Sequence, residues 1–347
     1  MVRPTTYRLI GPLLAASLAA QGCLEELPSP SRVDSLRILG VQAEPPEVPP
    51  GDAVTLSALA VDAIEQRALS YRWAACLLPE RAAGFFGGST AANSGGGGYG
   101  LEDPGNCVTL LDAGAPDIID LGTKATATLD VPSDFFDDLS IVKAAYGLPT
   151  DTDIPDVLLT GLLAIAGMNL TVTLEVRAGD EVLTAYKRIN VSLAPPDDIN
   201  RNPSGLAFVL YDADDEDEVE IPDSAAPPPD GRCFVGESDG TALTVSPGTY
   251  RIAPVNVPDP PTLYQVILPA LDPETPFELI EAEETLFHSF FSTQGTFDRD
   301  IVKATPSTRG EWVLSELSEP VDVWIVTRDG RGGLDWCYSS VAPDTAP

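Results

Sequence analysis

The chain has 347 residues, a length typical of two domains rather than one. Its 29 glycines and 33 prolines favour an all-β protein rich in turns, and its hydrophobic content of 44% excludes a wholly disordered chain. The formal net charge of −33 excludes nucleic acid as a partner, because both molecules would be anionic.

The first 22 residues have the parts of an export signal. Arg3 and Arg8 accompany an apolar run, Leu9 to Ala20, that would span only about 18 Å as a helix and is too short to cross a bilayer. The ending Ala20-Gln21-Gly22-Cys23 resembles the lipobox of bacterial lipoproteins. This resemblance implies that residues 1–22 are removed and that Cys23 carries the lipid. The alternative is an ordinary secretory signal followed by an unmodified cysteine.

Residues 23–34 are rich in proline, serine and acids, a composition that predicts a tether. Leu24 follows Cys23 in place of the aspartate that keeps some bacterial lipoproteins in the inner membrane. We therefore expect a protein of the cell envelope, held at the outer membrane by its lipid.

Five cysteines are present, and assigning Cys23 to lipid leaves an even number for disulfides outside the cytoplasm. Three pairings are open, and we favour the one in which each bridge stays within one domain, Cys76 with Cys107 and Cys233 with Cys337. Structural zinc is the poorer interpretation of these cysteines, because the sequence has no CxxC spacing and a single histidine.

The first predicted domain covers residues 35–195 and opens with two alternating strands around the turn PPEVPPGD. Leu69, Tyr71 and Trp73 then share one face of a further strand. This order resembles immunoglobulin-like or PKD-like bacterial surface domains. The resemblance implies a β-sandwich with Trp73 in its core, and no activity.

A glycine-rich segment, residues 84–106, interrupts this domain. Phe85, Phe86 and Tyr99 make it the expected recognition loop, with flexible filler as the alternative. Residues 133–147, capped by Ser133, and 154–167 are predicted as a short helical insertion. Two strands around a turn at residues 178–181 close the domain.

Residues 196–205 are predicted as a linker, and residues 206–347 as a second β-sandwich with an acidic loop. Val321, Val323 and Ile325 should point inward on one strand of a hairpin that reverses at residues 329–333. Each domain has a Pro-Gly corner followed by an apolar strand and an aromatic strand, so we interpret them as two divergent copies of one fold. The fold class is therefore all-β, with two immunoglobulin-like sandwiches and a helical insertion in the first.

Few residues indicate a reaction. His288 is the only histidine, and its place in a phenylalanine-rich strand favours a buried structural role over general base catalysis. Asp212, Asp214 and Glu216 have the spacing of a calcium loop, but glycine is missing at position six and glutamate at position twelve. A solvated acidic loop is thus the main interpretation, Ca²⁺ the alternative, and we expect no other cofactor.

Trp312, Trp324 and Trp336 have strand spacing and are expected in the core or in cross-strand pairs, with a sugar-stacking platform as the alternative. Together these features predict a non-enzymatic lipoprotein that acts as a scaffold or protein-binding module for an envelope partner. A carbohydrate-binding or adhesive module is one alternative. An extracytoplasmic hydrolase that uses carboxylates is another, and it would require a concave acidic pocket between the domains.

Overall fold

The computed structural model describes residues 29–77, 106–146, 155–215, 221–222, 224–236, 243–258, 261–269, 277–317 and 319–344. In these ranges the chain forms nineteen strands and three α-helices. The strands assemble into two β-sandwiches in succession, as predicted, and a separate two-stranded arm.

Eight strands form the first sandwich. They are β1 (Arg37–Glu44), β2 (Glu47–Val48), β3 (Ala53–Val61), β4 (Leu69–Cys76), β5 (Ile118–Gly122), β6 (Thr126–Asp130), β7 (Met168–Ala178) and β8 (Glu181–Val191). One sheet has the order β1-β3-β6, and the other has the order β2-β8-β7-β4-β5. All pairs are antiparallel except β2 with β8.

Alternating side chains place the core of this sandwich between the two sheets. On β6, Ala127 and Leu129 are buried and their neighbours are exposed, as expected for a strand with one solvated face. Trp73 is fully buried in this core, and its indole N–H donates to the carbonyl oxygen of Lys124 at 2.8 Å. The predicted core position of Trp73 is confirmed.

Three helices accompany the first sandwich, α1 (Cys107–Asp112), α2 (Leu139–Ala145) and α3 (Asp156–Ile165). Helix α3 lies within the predicted 154–167. Helix α2 is shorter than predicted, and the proposed cap Ser133 is wrong, because Asp138 accepts from the backbone N–H of Ser140 at 2.9 Å. Helix α1 was not predicted. Asn106 caps it by accepting from the N–H groups of its first turn.

Nine strands form the second sandwich. They are β9 (Ala207–Asp212), β10 (Thr244–Val245), β11 (Gly248–Val255), β14 (Phe287–Ser292), β15 (Thr296–Phe297), β16 (Ile301–Lys303), β17 (Gly310–Leu314), β18 (Val321–Arg328) and β19 (Leu334–Pro343). The sheet orders are β10-β19-β18-β14-β16 and β15-β17-β11-β9. Val321, Val323 and Ile325 point into its core as predicted.

The two sandwiches repeat one topology. In each, one sheet starts with a very short strand, β2 or β10, that pairs parallel with the last strand of the sandwich. The next strands across the sheet are the penultimate strand, the aromatic strand and an edge strand. Trp73 on β4 and Phe290 on β14 occupy the same place in this order, and both are fully buried. The predicted divergent repeat thus agrees with the strand order.

The arm consists of β12 (Leu263–Pro269) and β13 (Phe277–Glu283), paired antiparallel outside both sandwiches. It belongs to the second half of the chain, yet Ile267 packs into the apolar cluster formed by α2 and α3 of the first half. The arm therefore bridges the two sandwiches.

A second bridge is the junction cluster, defined here as Val33, Leu39, Trp324, Val326 and Leu334. These buried residues come from both halves of the chain. Gln42 donates to the carbonyl oxygen of Leu334 at 2.9 Å, and Arg328 donates to that of Leu39 at 3.1 Å. Apolar burial and hydrogen bonds thus join the sandwiches into one body.

The last residues of the predicted tether belong to this junction. Ser31 and Val33 are buried, and Val33 contributes to the junction cluster. The backbone N–H of Val33 donates to the carbonyl oxygen of Ser292 at 2.9 Å, and the N–H of Ser292 donates to the carbonyl oxygen of Ser31 at 3.0 Å. The segment from residue 29 is therefore part of the folded body.

Candidate functional site: the interdomain cleft

A cleft of about 730 Å³ lies between the two sandwiches. Its walls come from the linker after β8, the end of α3, strand β12 of the arm, and the turn between β18 and β19. Its volume is within the range of ligand pockets in proteins. No single sandwich could form it, because both halves of the chain contribute walls.

Asp329 organises one wall. Its buried carboxylate accepts from the backbone N–H groups of Arg331 at 2.7 Å and Gly333 at 2.8 Å, which closes the turn after β18. The other carboxylate oxygen accepts from the side-chain amide of Asn200 at 2.8 Å. The turn was predicted from its glycines, but the bond to the linker was not.

Asn200 is fixed from both sides. Its backbone N–H donates to Glu47 on β2 at 2.9 Å, while its side chain reaches Asp329 in the second sandwich. Glu47 and Asn200 are both buried. Because Asn200 bonds to both sandwiches, the linker residues at the cleft are held in one conformation.

Arg331 extends into the cleft from the turn. Its guanidinium carbon lies 4.5 Å from the centre of the Tyr264 ring, a cation–π contact with the arm. Its nitrogens lie 3.6 Å from a carboxylate oxygen of Glu47 and 3.8 Å from one of Glu284. These are ion-pair distances, longer than a hydrogen bond, so both carboxylates keep capacity to accept from another donor.

The pKa of Glu284 is raised, mainly because burial removes water from its carboxylate and also because Asp329 is negative. Arg331 and the hydroxyl of Thr262 oppose this rise without cancelling it. Glu284 thus takes up a proton more readily than an exposed glutamate does.

His288 on β14 also lines the cleft. Its ring is 3% exposed, Nδ1 lies 2.8 Å from the hydroxyl of Thr327, and Phe208 packs edge-on at 5.0 Å. Burial lowers its pKa to about 4, so the ring is neutral at pH 7. In the described part of the chain Nε2 has no hydrogen-bond partner. The predicted buried strand histidine is confirmed.

Lys187 on β8 contacts the turn between β18 and β19 from the first sandwich. Its ammonium group donates to the carbonyl oxygen of Gly332, and burial lowers its pKa to about 8 despite the nearby Asp329. A cation of the first sandwich thus bonds the turn that carries Arg331.

The structure forms both favoured disulfides. Cys76–Cys107 has a Cα–Cα distance of 5.6 Å and Cys233–Cys337 one of 5.0 Å, both ordinary for a bridge. The first ties α1 to β4, and the second lies in the core of the second sandwich. They support the fold and lie apart from the cleft lining.

The other predicted site residues do not come together at the cleft. Cys23, Phe85, Phe86, Tyr99 and Glu216 lie outside the described residues. Asp212 ends β9, and its carboxylate accepts from the backbone N–H of Asp214 at 2.9 Å. Within the described ranges, no group of three or more histidines, cysteines or acids is placed to hold a metal ion.

The three tryptophans lie in the core or in cross-strand pairs, as predicted. Trp312 is fully buried in the second sandwich, Trp324 belongs to the junction cluster, and Trp336 pairs across strands with Val326. They do not form an exposed stacking platform. None of the helices in the described residues has the length and apolarity needed to span a membrane.

The cleft residues Asn200, Tyr264, Glu284 and Arg331 were not identified from sequence. The sequence predicted only that Arg331 lies in a turn and Asn200 in a linker. No sequence motif indicated that these two segments meet. Chemically, the cleft offers carboxylate acceptors, one aromatic face and a neutral imidazole. Asp329 and Glu47 accept hydrogen bonds that hold the walls together, which is a positioning role.

No family model and no curated protein matches the sequence. Solved structures with some likeness include three N-terminal domains of the outer capsid protein Hoc of bacteriophage RB49, at 7% identity and TM-score 0.18, covering 89% of this chain and 59% of that one. Fibronectin(III)-like modules of Clostridium thermocellum CbhA are 6% identical over 89% of this chain and 94% of theirs, with TM-score 0.18.

Dimeric latent PorU of Porphyromonas gingivalis is 10% identical over 91% of this chain and 25% of its own length, with TM-score 0.19. This chain therefore spans less than two thirds of the Hoc structure and a quarter of the PorU structure. At such scores the likenesses carry no argument about activity. What the strand order does establish is that the chain consists of two all-β sandwiches, each built from two sheets.

Proposed function

We propose that the protein is a lipid-anchored module of the cell envelope that binds a partner without catalysing a reaction. The observation that carries this proposal is the cleft, which is built from both sandwiches and held by Asn200 between Glu47 and Asp329. Two sandwiches joined by an apolar cluster and a bonded linker present such a surface at little entropic cost.

Photo-crosslinking in intact cells tests the binding role. A photoreactive amino acid replaces Gln265 at the cleft or, as the control, Val157, which is exposed on α3 away from the cleft lining. We expect a discrete crosslinked species from position 265 and none from position 157. Equal products from both positions, or none from either, would contradict a binding role for the cleft.

The anchor is tested separately. Cys23→Ala should move the protein from the membrane fraction to the soluble extracytoplasmic fraction, because the acylation site is lost. Ser35→Ala, an exposed change, should leave it in the membrane fraction. Mass spectrometry of the wild-type N-terminus should show an acylated Cys23. A Cys23→Ala protein that still sediments with membranes would refute the anchor.

A carboxylate-dependent hydrolase is the second candidate, because the cleft supplies the concave acidic pocket that this function requires. Glu284 is the residue best suited as its acid, since its pKa is raised. Asp329 is less suited as the base, because it accepts three hydrogen bonds. Hydrolysis of a glycoside panel that is lost in Glu284→Gln would favour this candidate over the first.

A further inference from the structure

The cleft has an excess of negative charge. Its lining has two guanidinium groups, Arg201 and Arg331, against six carboxylates, which leaves a formal charge of −4. The carboxylates belong to Glu47, Asp197, Asp198, Glu281, Glu284 and Asp329. Asp197, Asp198 and Glu281 are exposed at the rim, and the others lie deeper. An anionic recess of this kind attracts and retains cations.

The protein already places one guanidinium group in this recess. Arg331 lies over the Tyr264 ring with Glu47 and Glu284 on either side, at ion-pair distances that do not use the full acceptor capacity of either carboxylate. A second guanidinium group from outside would meet the remaining acceptor capacity of Glu284 and, at the rim, the exposed carboxylate of Glu281. Arginine is suited to this role because its planar group bonds carboxylates and stacks on rings.

An independent observation concerns His288. Its buried Nε2 has no partner in the described residues, and the residue lines the cleft beside Phe208. When Nδ1 donates to Thr327, Nε2 is an acceptor, and a neutral imidazole does not repel a cation. Buried polar atoms usually have partners, so Nε2 is an acceptor in the cleft wall that the described residues leave unused.

We propose that the cleft binds an arginine side chain on an exposed peptide segment of the partner, with Glu284 and Glu281 as the acceptors. This proposal rests on the proposed function, in that it specifies the chemistry by which the binding module recognises its partner. The open rim leaves room for the peptide backbone on either side of the side chain.

Isothermal titration calorimetry on the full-length protein in detergent tests the proposal with blocked tripeptides, acetylated and amidated. Gly-Arg-Gly should bind, with affinity that falls as salt rises. Gly-citrulline-Gly, which has nearly the same shape and no charge, should bind at least about tenfold more weakly, because a charge-assisted hydrogen bond is lost. Gly-Glu-Gly should not bind.

Variants locate the site. Glu284→Gln should weaken Gly-Arg-Gly binding about tenfold, and Glu281→Gln, at an exposed position that does not threaten folding, should weaken it by a smaller factor. Asp130→Asn removes an exposed carboxylate of β6 outside the cleft lining and is the matched control, with unchanged affinity expected.

Three outcomes would overturn the proposal. The first is equal affinity for the arginine and citrulline peptides, and the second is an equal loss of affinity in Glu284→Gln and Asp130→Asn. The third is binding of spermidine as tight as that of the peptide, which would indicate a free amine as the ligand. If these occur while position 265 still crosslinks in cells, the binding module stands and only the arginine specificity fails. Loss of crosslinking as well would remove both.

Discussion

At the scale of single residues, the buried polar groups are the informative ones. His288 could be predicted as buried, because it lies between apolar residues in a strand pattern. Its unpartnered Nε2 and its place in the cleft lining could not, since they depend on how β14 packs against β9 and the linker. The residue types of a strand predict which side chains are buried, whereas the hydrogen-bond partners of a buried side chain depend on tertiary packing.

The low pKa of His288 predicts acid sensitivity. Its pKa is about 4 in the folded protein and near 6.5 when unfolded, so the unfolded state binds more protons between these values. Stability should therefore fall as pH drops from 6.5 to 4, by up to about 3 kcal/mol from this group. In His288→Gln that contribution should vanish. Urea unfolding at several pH values measures it, and identical pH profiles for the two proteins would contradict the assignment.

At the scale of elements, the strands of hairpins with a glycine turn were the most predictable. The β7–β8 hairpin and the β18–β19 hairpin follow alternation and glycine turns in the sequence. The arm was missed, because its side chains pack on helices of the other half of the chain rather than in a sandwich. Helix α1 was missed because it has only six residues, too few for a periodic pattern.

A substitution at Gly333 tests how tightly the turn between β18 and β19 packs at the cleft wall. A Cβ there would overlap the Asp329 carboxylate and lie 3.1 Å from the carbonyl oxygen of Arg201. We expect Gly333→Ala to destabilise the protein by about 1–3 kcal/mol, since the turn and the linker must move apart. Gly161→Ala, in α3 with open space around it, is the control and should be neutral or stabilising. Denaturant midpoints compare them, and equal midpoints would refute the account of the turn.

The bridge Cys76–Cys107 tests the attachment of α1. It closes a loop with a sequence separation of 31, for which the chain-entropy model gives about 4 kcal/mol. We expect Cys76→Ala with Cys107→Ala to lower the free energy of unfolding by about that amount. Adding a reductant to the wild type should reproduce part of this loss. A double variant as stable as the wild type would show that α1 is held by packing alone.

At the scale of the whole molecule, two sandwiches could be predicted from length, turn spacing and the repeated aromatic strand. Their mutual arrangement could not, because the junction cluster joins residues nearly 300 positions apart, such as Leu39 and Leu334. The other bridge, Ile267 of the arm against α3, joins residues about 100 positions apart. The cleft depends on this arrangement, which is why its residues escaped sequence analysis.

The junction predicts cooperative unfolding. Because the sandwiches share an apolar cluster, calorimetry of the wild type should show a single transition. Leu334→Ala should cost about 2–5 kcal/mol and resolve two transitions, since one side of the shared cluster is removed. Leu279→Ala, at a side chain that is 57% exposed on the arm, should leave one transition at the same temperature. Two transitions already in the wild type would refute the coupling.

The incorporation of Ser31 and Val33 into the junction limits how far the protein can stand from a lipid at Cys23. Cys23 precedes Ser31 by eight residues, and an extended chain covers at most about 3.6 Å per residue, so the attachment point lies within about 30 Å of the acyl group. An anchor there would be joined to the molecule at the junction of its two sandwiches rather than at one tip. The cleft would then stay close to the membrane, where neighbours fixed in the same leaflet have a high effective concentration.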